Sequence, residues 1–95
     1  MRENCGIFHV EDTLWINISK RKKQYGVIGH VMEGMFQVGD EIIIRRQDGT
    51  ELKTDITEIK VFRMPRDEIK VGDNALILLN ITDKNVVSRG DKLVK

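Results

Sequence analysis

Ninety-five residues lie near the lower end of the usual single-domain range of about 100–150, so the chain is read as one domain, residues 1–95, with no room for two separate cores. With 40% hydrophobic and 33% charged residues, one Pro and 8 Gly, the composition is that of a folded globular chain and excludes the disordered and low-complexity classes. Sixteen Lys plus Arg against fifteen Asp plus Glu leave a formal net charge of +1, so any site for a polyanion must be a local patch.

Cys5 is the single cysteine, which rules out an intramolecular disulfide framework and a cysteine metal cluster within one chain. No apolar run approaches the roughly 18–20 residues of a membrane helix, and the first residues lack the pattern of an export signal. The expectation is a cytoplasmic chain without membrane attachment.

In chain order, Phe8, Val10, Leu14, Ile16 and Ile18 alternate with polar residues, broken once at Glu11-Asp12-Thr13. That predicts either two short strands or one strand kinked by a bulge. Tyr25 to Met32 is β-rich, and Gly26 and Gly29 within it point to strong twist or close backbone approach. Val38-Gly39-Asp40 turns into Ile42-Ile43-Ile44, and Asp48-Gly49 between two strand-like runs predicts a hairpin. Leu52 to Phe62 alternates with a phase slip between Ile56 and Ile59 that predicts a bulge. Met64 to Glu68 reads as punctuation and Val71 to Asn74 as a turn. Ala75 to Leu79 has the length of a buried strand, and Lys92-Leu93-Val94 is a last short one. Short strands about ten residues apart, with no helical period, predict an all-β barrel or sandwich, and a closed barrel best removes exposed edges.

The sequence offers little chemistry. GxxxxGK[ST] and GxGxxG are absent, so no nucleotide site is expected. His9 and His30 are far apart in sequence and read as ordinary strand residues, Ser19 and Ser88 lack the glycines of a nucleophile elbow, and the carboxylates are scattered. The expectation is no enzyme, no metal and no cofactor. The notable charge run is Lys20-Arg21-Lys22-Lys23, which either grips RNA phosphates or is a solvated hairpin tip that protects an edge. Tyr25 and Trp15 either stack a base or belong to the core.

Together the turns form a larger pattern. GHVMEGMFQVGDEIII (29–44), VFRMPRDEIKVGDNALILLNI (61–81) and RGDKLV (89–94), with FHVEDTLWI (8–16) ahead of them, resemble domain II of the translational GTPases, most closely elongation factor Tu, over about residues 7–94. The resemblance implies a closed six-stranded Greek-key β-barrel. In those factors the barrel follows a G domain, docks on ribosomal RNA and, in elongation factor Tu, helps to hold the aminoacylated 3′ end of tRNA. The expectation is a chain without a G domain that cannot hydrolyse GTP. Lys60 stands where the tRNA carrier has a glutamate and Asn80 where an arginine is usual, which weakens an aminoacyl-end pocket. Phe62 and Arg63, the family's Phe-Arg pair, are read as structural, the Phe in the core and the Arg closing the barrel.

The function expected is a non-catalytic module that binds ribosomal RNA, tRNA or a translation-related protein through the basic loop 20–23. Lys20, Arg21, Lys22, Lys23, Tyr25, Lys60 and Arg63 are its candidate contacts. The alternative is a protein-interaction or structural module that uses the surface which packs on a G domain in the family.

Overall fold

A computed structural model describes residues 5–19, 22–81 and 87–95, without side chains for 17–19 and 22. Every regular element among them is a strand: β1 (Gly6–Ser19), β2 (Lys22–Gln37), β3 (Glu41–Arg45), β4 (Glu51–Val61), β5 (Met64–Arg66), β6 (Glu68–Lys70), β7 (Asn74–Leu79) and β8 (Lys92–Val94). Six of them close a ring in the order β1-β8-β3-β4-β7-β2, with β2 pairing back onto β1, and all pairs are antiparallel. Connections from β2 to β3 and from β7 to β8 skip neighbours, the Greek-key element of the expected barrel. β6 pairs with the far end of β2, and β5 with the end of β4.

Alternation fills the interior. Phe8, Val10, Tyr25, Val27, Phe36, Ile42, Ile44, Ile56, Ile59, Ile77 and Leu79 are buried. The Phe8 and Phe36 rings meet edge to face with centroids 6.1 Å apart, the geometry their quadrupoles favour.

The two breaks in the sequence period are two bulges. Val10 pairs with Gly29 and Asp12 with Ile28, which leaves Glu11 as the extra residue, so the first segment is one kinked strand. In β4 the shift falls between Ile56 and Glu58, around Thr57. Gly29 lies opposite the first bulge, and a Cβ there would sit 1.8 Å from the His9 carbonyl oxygen. Close backbone approach is therefore the reason for this glycine.

The Asp-Gly hairpin joins β3 to β4. Gly49, at φ +93°, donates its N–H to the Arg46 carbonyl at 3.0 Å. Asp48 accepts from the Thr50 N–H at 2.9 Å and the Thr50 hydroxyl at 2.6 Å. These bonds, the hydroxyl's first, hold the Asp48 carboxyl below its ordinary pKa. Asp91, 3% exposed, accepts from the Gln47 and Ser88 N–H groups and so ties this hairpin to the turn before β8.

Two expectations need correction. Met64 to Glu68 is not a plain loop: it carries β5 and the start of β6. Pro65 is accommodated because β5 pairs on β4 at the sheet's margin, where a missing N–H breaks no inner ladder. Phe62, expected in the core, is 94% exposed.

Candidate functional site

The outer face of the barrel wall is built by register. Ile28 of β2 pairs with Leu76 of β7, and Leu76 pairs with Lys60 of β4. These three side chains stand in one row. Because Gly26 lacks a Cβ, the Leu76 and Leu78 side chains lie over it, where a Cβ would meet them at 3.0 and 2.9 Å. The result is an apolar floor on a surface that usually carries polar residues.

One end of this floor is walled by the β4–β5 hairpin. Val61 pairs with Met64, so its turn is the two residues Phe62 and Arg63, both left-handed at φ 52° and 68°. A two-residue turn with both φ positive matches the twist of antiparallel strands but favours Asn-Gly. For residues with a Cβ the conformation costs roughly 1–2 kcal/mol each. An aromatic at this position is therefore not explained by the turn, and no packing accounts for it, because 94% of the residue is in solvent.

Phe62, Arg63, Lys60, Leu76, Ile28 and Asn74 line a surface groove of about 550 Å³. Ile28, Ala75 and Leu76 are its apolar members, Lys60 and Arg63 its cationic ones, and the exposed Phe62 ring lines it as well. Glu58 lies 3.8 Å from Lys60, with both side chains half-buried, and such a surface pair is weak enough to yield to another anion.

The sequence-derived candidates do not form one cluster. Lys60 and Arg63 meet at the groove. Lys20 and Arg21 lie outside the described residues, Lys22 opens β2, and Lys23 is exposed on the same strand. Ile28 lies five positions beyond Lys23, about 17 Å along a strand. Tyr25 belongs to neither group. Its side chain is buried at 5% exposure, its hydroxyl donates to the Val87 carbonyl at 3.3 Å, and its ring packs against half-buried Trp15 at 4.8 Å. It is core rather than a platform for a base, because inward alternation places it there. Asn80 is exposed beyond the end of β7 and is not part of the groove lining.

Phe62, the displayed aromatic, follows Val61 as an apolar residue, and in sequence that looks like a continuing strand. The available signal was the two-residue spacing between Val61 and the short run Met64–Arg66. No group of three or more His, Cys, Asp or Glu among the described residues is placed to hold a metal ion, and no described helix is long and apolar enough to cross a membrane.

The class defined by this architecture is the small closed antiparallel β-barrel with six strands in its ring. Residues 26–94 match the model of the family described as elongation factor Tu domain 2. The chain belongs to that family. Its fold is similar to part of translation elongation factor SelB from Methanococcus maripaludis, in the apo form and in complex with the GTP analogue GppNHp. Each superposition has a TM-score of 0.79 at 21% identity and covers 100% of this chain. The chain spans 20% of the length of that factor.

Proposed function

We propose that this chain is a non-catalytic, cytoplasmic, translation-associated module that binds single-stranded segments of RNA at the groove beside Phe62, with the basic run 20–23 adding further contacts. The observation that carries this reading is the exposed Phe62 ring, held on a strained turn between Lys60 and Arg63. Backbone strain kept at an unpacked surface residue is a mark of a functional position. An exposed aromatic flanked by cations is the chemistry of a base-stacking platform with phosphate contacts. Membership in a family of translation-factor domains supports an RNA of the translation apparatus, ribosomal or transfer, as the partner. With Lys60 in place of the family's glutamate, the groove rim attracts phosphate rather than repelling it.

A second reading rests on Ile28 at 40% and Met32 at 47% exposure on the same strand, apolar surface that a protein partner would cover. Fluorescence anisotropy with a labelled single-stranded RNA separates the two. Loss of one stacked base should weaken binding of Phe62→Ala by about 1–3 kcal/mol, roughly 5- to 150-fold. Unchanged affinity in Phe62→Ala and in Lys60→Glu/Arg63→Glu removes the groove from RNA binding and leaves the protein-partner reading.

A further inference from the structure

His9 and His30, distant in sequence, are direct cross-strand partners on β1 and β2. Phe8, Val10 and Val31 beside them point into the core, so both imidazoles stand on the outer face. Their ring centroids are 5.5 Å apart at an interplanar angle of 52°. Two imidazoles that share a tetrahedral ion, each with a metal–nitrogen bond of about 2.0–2.1 Å, place their centroids roughly 5 Å apart. The observed ring separation lies within about half an ångström of that value.

The bulge supplies a further element. Glu11, the extra residue of β1, holds its Oε2 2.7 Å from His30 Nδ1. A carboxylate that accepts the Nδ1 proton fixes the tautomer in which Nε2 carries the free lone pair, the form in which imidazole ligates a metal. The His30 and Glu11 side chains are 37% and 49% exposed, so an ion reaches them from solvent. The other cross-strand neighbours are Lys92 beside His9 and Asn74 beside His30.

We infer that His9 and His30 form an open two-histidine site for a late first-row divalent cation such as Zn²⁺, with Glu11 as the positioning residue and water completing the coordination. Imidazole ligands suit Zn²⁺, Cu²⁺ and Ni²⁺. No third protein ligand is required, in keeping with the absence of a larger cage among the described residues. The Lys92 ammonium opposes the cation and sets its affinity below that of an anionic neighbour.

Zn²⁺ titration of the full chain tests this, by calorimetry and by NMR of the histidine ring protons. It is done in a Cys5→Ser background so that the exposed thiol does not compete. The site predicts saturable uptake of one ion per chain with both histidine rings shifting. His9→Ala and His30→Ala should each weaken uptake about tenfold or more, and Glu11→Gln by about 10- to 100-fold. Lys92→Glu should tighten it. All four positions lie on the outer face, and an unchanged circular dichroism spectrum confirms that the barrel persists. Absence of uptake, or uptake indifferent to His9→Ala and His30→Ala, overturns the inference.

Discussion

Phe62 and Arg63 carry backbone conformations that their side chains oppose, with φ at 52° and 68°. Replacement of the pair by Asn-Gly supplies the residues this turn favours and relieves left-handed strain of about 1–2 kcal/mol per position. Asn retains part of that strain and Gly adds entropy to the unfolded chain, so the double variant should unfold at a higher urea concentration than the parent by a net of about 1–2 kcal/mol, while losing RNA affinity. Equal stability would mean that the turn is unstrained. Gly29 is the opposite case, a residue whose smallness the fold needs. In Gly29→Ala the new methyl meets the His9 carbonyl oxygen at 1.8 Å, and relief requires the β1–β2 ladder to part at the Glu11 bulge. A loss of about 3 kcal/mol or more is expected in denaturant unfolding.

At the scale of elements, the β3–β4 hairpin shows how a turn gains pH dependence. The Asp48 carboxyl is held below its ordinary value of 3.8, mainly by the Thr50 hydroxyl and N–H. A depressed folded-state pKa gives stability that is present above the unfolded value and is lost as pH falls through the folded one. Asp48→Asn should thus be less stable than the parent at neutral pH, and the two should converge in acid below that range, as read from urea midpoints across pH. Sequence legibility also divides at this scale. The hairpin was legible because Asp48-Gly49 has a local stereochemical cause. The bulges at Glu11 and Thr57 were legible because an extra residue shifts the apolar phase by one, whichever partner strand is present. β5 and β6 were not, because three-residue strands, one holding Pro65, are too short to show a period.

For the whole molecule, closure of the barrel determines which distant residues become neighbours. The core was legible from alternation, and the family pattern over about residues 7–94 supplied the ring and its topology. The site was legible only in pieces. Lys60 and Arg63 are legible as cations of the family pattern, whereas the outward direction of Phe62 between them is not, because it depends on a turn that strand pairing alone defines. The facing of His9 and His30 depends likewise on a register set at the Glu11 bulge, which no spacing along the chain reveals.

Backbone amide shifts of the labelled chain, followed during titration with a short single-stranded RNA at about 50 and 200 mM salt, show whether the Phe62 turn and its groove hold RNA. About four phosphate contacts predict a roughly fifty-fold loss of affinity between those conditions. Salt-sensitive shifts are expected at Lys60, Phe62, Arg63, Asn74 and Leu76, extending to Lys23. A spectrum unmoved by RNA at the lower salt concentration, or shifts that avoid the groove, would contradict RNA binding there.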